Sequence, residues 1–207
     1  MDISTLTRTR LPAHPPLRVL DEVTLETGRL HEFCGTSRHL LALLAAAATE
    51  GPVLWIAPDW SAERLNPDGM AALVGPERFI FVSPKHPVDL LWTLEESLRS
   101  GAVALAIAEL PELPGLTPVR RLHLAAETGA ALGHGAPLGL ILTPGDGGAP
   151  GVESRWHLAA RHGARDKRAW ALSRLRARGL PPATWTMQRQ KSRFHLSPAE
   201  GTVCQAV

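Results

Sequence analysis

The chain has 207 residues, of which 44% are hydrophobic and 20% charged, and its formal net charge is +2. This length suits one α/β domain with a terminal extension, and the apolar content can fill a core, which excludes wholesale disorder. The two cysteines fit neither a disulfide framework nor a zinc site. The longest apolar runs are too short to span a bilayer, and residues 1–16 lack the apolar stretch of a secretory signal, so we expect a cytoplasmic protein that makes no membrane contact.

The amino-terminal residues 1–27 are interpreted as an arm with little core of its own, because His14, Pro15 and Pro16 interrupt any long element. From residue 28 onward, short apolar runs alternate with amphipathic segments. The apolar runs have the composition of buried strands, and the segments between them have the helical spacing of apolar residues. The predicted strands are 30–34, 53–57, 79–82, 103–108 and 138–142, and the predicted helices are 38–49, 87–100 and 117–133.

This alternation of apolar strands with helices indicates an α/β domain built on a parallel sheet. Right-handed crossovers would place helices on both faces, so we predict a doubly wound, mostly parallel sheet over residues 28–187. Trp55 and Trp92 lie in apolar runs and are expected in the core. Trp60 follows a strand and is expected to be partly exposed, at the edge where such domains bind ligands.

The composition changes after residue 143. Residues 144–151 are rich in Gly and Pro and are expected to form a flexible loop, and a strand is predicted at 154–159. Residues 184–187 are predicted to pair with a preceding strand, which gives the sheet a carboxy-terminal β-hairpin extension. The remaining residues, 188–207, are expected to be a flexible tail.

The strand that precedes this hairpin partner is ambiguous in the sequence. Residues 170–178 fit a strand, and they also fit a helix. We favour the strand, because it aligns Arg174, Arg176 and Arg178 on one face. Leu175 then falls on the opposite face.

Half of the basic side chains are concentrated in one segment near the carboxyl end. Eleven of the 22 Lys and Arg residues lie between Arg155 and Arg193, where only Asp166 opposes them. A basic segment on an acidic body is typical of proteins that bind nucleic acid or an acidic protein surface. A solvated, arginine-rich tail would have the same composition.

Three tryptophans lie among these arginines. Aromatic rings interleaved with Arg can stack on bases while the guanidinium groups hold phosphates. They can equally anchor a protein interface, or pack the hairpin on the sheet. The candidate partner- or DNA-binding residues are therefore Arg155, Trp156, Arg168, Trp170, Arg174, Arg176, Arg178, Trp185, Arg189, Lys191 and Arg193.

The turn after the first predicted strand has the position of a phosphate-binding loop but not its residues. A working loop needs the spacing G-x-x-x-x-G-K-[S/T], whose amides and Lys hold the phosphates. Here the turn holds only Gly35, Thr36, Ser37 and Arg38, with no second Gly and no Lys. The helix amino terminus could still attract an anion. The sequence predicts a degenerate phosphate loop and no cofactor, and the scattered His and Cys residues predict no metal site.

Several segments, taken in their order along the chain, carry a resemblance to a known family. They are Gly-Arg-Leu-His-Glu-Phe-Cys-Gly at 28–35, Val-Leu-Trp-Ile-Ala-Pro-Asp at 53–59, Leu-Arg-Ser-Gly-Ala-Val at 98–103, Arg-Arg-Leu-His-Leu-Ala-Ala-Glu at 120–127, and 172–185 with its Arg-Ala-Arg-Gly, followed by Trp-Thr at 185–186. In this order they resemble ImuA, the RecA-like accessory protein of the bacterial damage-inducible mutagenesis cassette, to which the cell-division inhibitor SulA is related. The resemblance spans residues 28–187.

The resemblance implies a RecA-like domain with two remnants of ATP chemistry. Glu109 stands where such ATPases carry the Walker B acid, and Asp59 stands where they carry a catalytic glutamate. Without a phosphate loop these two acids do not make an ATPase, because catalysis depends on stabilising a bound triphosphate. Carboxylates that cap loop amides would occupy the same positions. We therefore expect a protein that is not an enzyme.

The function implied by the resemblance is that of an adaptor in SOS-induced translesion DNA synthesis. Its expected partners are an ImuB-like Y-family protein, RecA and an error-prone DnaE-type polymerase, with DNA as a further candidate. The sheet would be the scaffold, and the basic segment would bind a partner or DNA. Two alternatives stay open: a SulA-like inhibitor of cell division, and a weak RecA-type ATPase that uses Asp59 and Glu109.

Overall fold

The computed structural model describes residues 14–132, 135–161, 169–191 and 193–199, and within them nine strands form one mixed sheet flanked by helices. A separate two-stranded ribbon consists of β1 (Leu17–Arg18) and β2 (Thr24–Leu25). The strands of the large sheet are β3 (Leu30–Cys34), β4 (Val53–Ile56), β5 (Phe79–Val82), β6 (Leu105–Glu109), β7 (Leu138–Leu142), β8 (Ser154–Ala160), β9 (Ala169–Ala177), β10 (Ala183–Gln190) and β11 (Arg193–Pro198). The helices are α1 (Arg38–Ala47), α2 (Pro67–Ala71), α3 (Pro87–Ser100) and α4 (Leu116–Ala131), with a 3-10 turn at Pro76–Arg78.

The large sheet has the strand order β11-β10-β9-β8-β3-β7-β6-β4-β5. The strands from β8 to β5 in this order are parallel to one another. Strands β9, β10 and β11 continue the sheet antiparallel beyond β8. The predicted α/β architecture with a large, mostly parallel sheet is therefore confirmed, and residues 170–178 belong to a strand and not to a helix.

Helices pack on both faces of the parallel strands. Phe33 and Trp55 contribute to a buried cluster that also contains Leu41 of α1. Leu30 and Ile56 contribute to a second buried cluster, shared with α3 and α4. Successive strand residues point to opposite faces, so the uniformly apolar strands supply both clusters at once.

The outer face of α3 exposes residues that the sequence places inside. Leu90, Leu94 and Leu98 form the buried stripe of this helix, whereas Val88 and Trp92 are 73% and 59% exposed. Trp92 precedes Leu94 by two residues and is therefore turned about 200° around the helix from it. The prediction that Trp92 belongs to the core is wrong for this reason.

The amino-terminal arm packs on the domain through its ribbon. Val23 and Leu25 are fully buried and join the cluster on the α1 side of the sheet. The ribbon is therefore part of the hydrophobic core. Residues 1–13 of the predicted arm lie outside the described residues.

The carboxy-terminal strands extend further than predicted. Strand β10 continues to Gln190, and β11 pairs with it where a flexible tail was expected. Leu196 lies opposite Met187, which is fully buried, so β11 continues the apolar face of β10. The prediction of a flexible tail is wrong for residues 188–190 and 193–198, which form strands, and residues 192 and 200–207 lie outside the described part of the chain.

Candidate functional site

The carboxyl ends of β4 and β6 form a crevice at the edge of the sheet. In the strand order, β4 is followed along the chain by β5 on its outer side, whereas β6 is followed, through α4, by β7 on its other side. The two connections therefore diverge between β4 and β6. Such a point of divergence is where α/β sheets bind ligands. A cavity of about 230 Å³ lies in this crevice. Its lining residues are Trp55, Ala57, Glu63, Arg64, Leu65, Phe81, Val82, Ser83 and Glu109.

Glu109, the predicted Walker B remnant, makes hydrogen bonds to the protein itself. Trp55 Nε1 donates to Glu109 Oε1 at 2.7 Å, and His39 Nε2 lies 3.1 Å from Oε2. Burial opposes ionisation of Glu109, but the hydrogen bonds from His39 and Trp55 outweigh it, and its pKa lies below the ordinary value. The carboxylate is therefore charged at neutral pH, and both of its oxygens already have protein donors.

Asp59, the second predicted remnant, does not join Glu109 in the lining of the cavity. It is exposed after β4, and Arg64 donates to its backbone oxygen and to that of Pro58, each at 3.2 Å. Trp60 beside it is 49% exposed, as the sequence predicts. The described residues thus do not assemble the two acids into one site.

Backbone amides of the turn at residues 35–38, the predicted degenerate phosphate loop, donate hydrogen bonds to carbonyl groups of the same chain. Gly35 N donates to Gly145 O at 2.9 Å, and Ser37 N donates to Leu158 O at 2.9 Å. These are amides of the strand-to-helix turn, the groups that a phosphate-binding loop presents to its ligand. The turn packs against β8 and the loop that precedes it, where a phosphate would otherwise lie.

The residues of this turn differ in how closely they pack against the rest of the protein. Gly35 has φ of +88°, and a Cβ atom on it would lie 2.4 Å from Leu158 O, so only glycine fits. Ser37 is the N-cap of α1 but makes no side-chain capping bond, and Thr36 is exposed. Arg38 Nη1 lies 3.4 Å from Gly35 O, so its guanidinium group contacts the turn itself.

A buried carboxylate that the sequence analysis missed connects this region to β8. Glu32 of β3 is fully buried and accepts hydrogen bonds from Thr143 Oγ1 at 2.7 Å and from the amides of Gly148 and Ala149 at 2.9 and 3.2 Å. It also forms an ion pair with Arg155. The Gly- and Pro-rich loop that was predicted to be flexible is therefore tied to the sheet.

Arg155, a candidate for partner or DNA binding, is half-buried in this ion pair. Its Nη2 also donates to Ala149 O at 2.8 Å. This pairing has no local signal in the sequence, since Glu32 and Arg155 are separated by more than a hundred residues. The guanidinium group is used inside the protein and is not available to a phosphate.

Two of the predicted tryptophans pack around a buried arginine. The guanidinium carbon of Arg174 lies 5.8 Å from the ring of Trp156 and 5.2 Å from that of Trp185, at cation–π distance. Arg174 is only 8% exposed and donates to Pro181 O at 3.0 Å, while Trp156 is 1% exposed. These side chains belong to the packing of the hairpin on the sheet, which was one of the open interpretations.

The arginines of β9 do not share one face. Arg174 lies opposite Trp156 and Arg176 lies opposite Arg155, so the register passes over Leu175 between them. Such a bulge reverses the alternation of side chains along the strand. The prediction of an arginine-lined face is wrong, and Leu175 is 39% exposed.

The other aromatic candidate also packs within the sheet extension. The rings of Trp170 and Phe194 are 5.9 Å apart, and the guanidinium carbon of Arg189 lies 5.7 Å from Phe194. All three side chains are half-buried. They continue the apolar face of β9, β10 and β11.

The remaining basic candidates are exposed. Arg176, Lys191 and Arg193 lie at the surface, and so does Arg178, whose Nε is 3.5 Å from Oε1 of the half-buried Glu153. Arg168 lies outside the described residues. The structure therefore separates the predicted cluster into a buried structural set and an exposed basic set.

A network around His31 attaches β8 to the centre of the sheet. His31 Nδ1 lies 2.7 Å from Ser154 Oγ, and Nε2 lies 2.9 Å from Glu26 O. Trp156 Nε1 donates to the same hydroxyl group at 3.1 Å. Burial lowers the pKa of His31 to about 4, so the imidazole is neutral at physiological pH.

The opposite end of the sheet exposes apolar side chains. β5 is the last strand in the order, and its Ile80 and Phe81 are 51% and 55% exposed. The strand contains no charged residue and no proline, the two features that commonly protect an edge. We refer to Ile80 and Phe81 as the edge patch.

No family model matches this chain, and no curated protein matches its sequence. Within the residues that the structure describes, no helix is long and apolar enough to cross a membrane. In the same ranges, no group of three or more His, Cys, Asp or Glu side chains could hold a metal ion.

Proposed function

We propose that this chain is a non-enzymatic adaptor with a RecA-like fold that serves SOS-induced translesion DNA synthesis. The observation that carries the proposal is the edge patch on β5, since an open edge strand with exposed apolar side chains is a template for pairing with another protein. The resemblance of residues 28–187 to ImuA supplies the biological setting.

The edge patch has the features of a strand-addition site. Ile80 and Phe81 are consecutive and therefore point to opposite faces, so a partner strand would bury apolar surface on both sides. Phe81 also lines the 230 Å³ cavity beside Trp55. Main-chain hydrogen bonds along β5 would provide affinity, and this cavity would select one side chain of the partner.

The internal bonding of the β3–α1 turn supports a role without ATP hydrolysis. The amides of Gly35 and Ser37 already donate to carbonyl groups of the chain, and Glu109 already accepts from His39 and Trp55. A triphosphate would have to displace these contacts and would find no lysine in the turn. The proposed partners are therefore proteins: the ImuB-like Y-family protein, RecA and the error-prone DnaE-type polymerase.

The test is a binding measurement with the purified ImuB-like protein and RecA. We expect Ile80→Lys combined with Phe81→Lys to weaken binding to one of them by at least about tenfold, roughly 1.4 kcal/mol, because lysines disfavour edge pairing. The matched control is Leu175→Lys with Leu180→Lys, two residues that are 39% and 54% exposed on the extension. The proposal fails if neither protein binds the wild-type chain, or if both double variants weaken binding equally.

Two further measurements separate the alternatives. A calorimetric titration with Mg-ATP is expected to show no binding, whereas a measurable affinity that Glu109→Gln abolishes would favour the weak ATPase. A gene for a Y-family-like protein beside the gene for this chain is expected for the adaptor. Its absence would favour the SulA-like inhibitor of cell division.

A further inference from the structure

The extension formed by β8, β9, β10 and β11 has one apolar face and one polar face. Trp156, Leu172 and Met187 lie on the apolar face, in the cluster shared with α1. The polar face is the side to which His157 and Thr186 point. Residues on it are half-buried or exposed, which shows that α3 and α4, packed on the same side of the parallel strands, do not cover it.

Register places hydroxyl and amide groups side by side across this polar face. Ser173 lies opposite Thr184, and their hydroxyl oxygens are 3.0 Å apart. Thr186 lies opposite Ser197 on one side and Ala171 on the other. Two small residues, Ala159 and Ala171, lie opposite each other beside these hydroxyl groups.

Three arginines lie on the same polar face. Arg161 Nη1 donates to Thr186 Oγ1 at 2.7 Å, which places it on the polar face at the end of β8. Arg176 lies opposite Arg155, whose guanidinium group is on this face, and Arg193 lies opposite Gln190 of β10. Side chains directly opposite each other in an antiparallel pair share a face.

This surface is also free of acidic side chains over its strands. The described residues of β8, β9, β10 and β11 contain no Asp and no Glu. Asp146 Oδ1 lies 3.4 Å from His157 Nε2, at the boundary with the parallel strands. Arg161, Arg176 and Arg193 therefore give the polar face a positive potential that favours an anionic ligand.

We infer that the polar face of β8–β11 binds single-stranded nucleic acid. The three arginines would contact phosphates, and the hydroxyl and amide groups between them can both donate to and accept from bases. An extended single strand can lie along the face of a four-stranded sheet, with its phosphates and base edges within reach of these side chains. The tryptophans lie on the apolar face, so binding here depends on phosphates and hydrogen bonds and not on stacking.

This inference rests on the proposed function, because it assigns the nucleic acid on which the adaptor would act, but it involves a different surface. The experiment is fluorescence anisotropy of a labelled oligothymidylate with the full chain, between 50 and 200 mM salt. Three phosphate contacts correspond to a slope of log affinity against log salt of about −2, or roughly a 20-fold loss of affinity over that range. We expect Arg161→Gln, Arg176→Gln and Arg193→Gln together to weaken binding at least about tenfold at the lower salt and to remove most of this slope.

The matched control changes the same net charge elsewhere. Arg18→Gln, Lys85→Gln and Arg120→Gln remove three exposed positive charges outside the extension and are expected to weaken binding less than about threefold. Equal losses in the two triple variants, or tighter binding of polyglutamate than of the oligonucleotide, would overturn the inference. The edge-patch variants are expected to keep wild-type affinity for the oligonucleotide, so failure here leaves the protein-partner test standing.

Discussion

The two ends of the nine-stranded sheet present opposite chemistry. At the β5 end, Ile80 and Phe81 are exposed on a strand without charge, whereas at the β11 end Arg193 and His195 are exposed on a strand without acid. An apolar edge suits an extended protein segment, and a basic, hydroxyl-rich face suits a polyanion. In the proposed function, the two ends of one sheet bind two kinds of partner, and the buried core separates the two surfaces.

The two ends also differ in how they are attached. β5 continues the apolar packing of the parallel strands, with Phe79 in one buried cluster and Val82 against the other. β8 is attached through polar contacts to β3: the Glu32–Arg155 ion pair and the hydrogen bond between His31 and Ser154. Substitutions in these contacts should therefore affect the basic end more than the apolar end.

The largest effect is expected from Arg155→Met. This change leaves the carboxylate of Glu32 buried without its cation, and we expect the free energy of unfolding, measured with urea, to fall by about 3–5 kcal/mol. Adding Glu32→Gln should recover part of the loss, since a neutral amide costs less to bury. Arg178→Met removes a longer contact, of 3.5 Å, whose arginine is 84% exposed, and should cost no more than about 1 kcal/mol. Equal losses for the two arginines would show that the ion pair does not hold β8.

A smaller effect is expected from Gly35→Ala. The φ of +88° disfavours alanine, and its Cβ would press on Leu158 O of β8, so we expect a loss of about 2–3 kcal/mol in the free energy of unfolding. Gly51→Ala is the matched control, because its φ is +83° and nothing lies within 4 Å of the added atom. Its loss should be about 1 kcal/mol. If the two losses agree, the turn does not pack closely against β8.

The pH dependence of stability should show the third effect. The pKa of His31 is about 4 in the folded protein and 6.5 ordinarily. Between these two pH values the unfolded chain is protonated at His31 and the folded chain is not. The titration of His31 therefore does not change the free energy of unfolding above about pH 6.5, and it decreases this free energy as the pH falls from 6.5 toward 4. Between pH 7.5 and 5 we expect a loss of about 2 kcal/mol.

The control for this pH effect is His31→Gln, which cannot titrate. The variant is expected to be less stable than wild type at pH 7.5 but to lose less stability on acidification. Hydrogen exchange at pH 5 should show faster opening of β8 and β9 than of β5. Parallel pH profiles for the two proteins would contradict the assignment to His31.

Regular elements were predictable where the local pattern is strong. The apolar run at 138–142 and the glycine that ends α3 at Gly101 have the predicted positions, because strand burial and a left-handed C-terminal residue both have signals in a few consecutive residues. The face of a helix is less certain, as Trp92 shows. Its spacing fits a broad apolar face, but the neighbouring leucines occupy the contact with the sheet.

The candidate sites were predictable only in part. The sequence shows that the turn at Gly35 lacks a lysine, but only the fold shows that its amides donate to Gly145 and Leu158. Likewise, the basic segment is evident from composition alone. Its division into a buried Arg174 and an exposed Arg176 depends on the bulge at Leu175, which arises from pairing with a distant strand.

The amino-acid order alone thus specifies the α/β alternation, the absence of the phosphate-loop spacing at residues 35–38 and the basic character of the carboxyl end, because each depends on neighbouring residues. Tertiary structure decides which side chains remain exposed and can contact a partner. Arg155 becomes a structural ion-pair partner, since β3 brings Glu32 to it across more than a hundred residues. Ile80 and Phe81 stay exposed, since the topology places β5 last. Whether Arg155, Ile80 and Phe81 are buried or exposed depends on strands far apart in the chain, so the residues next to them do not determine it.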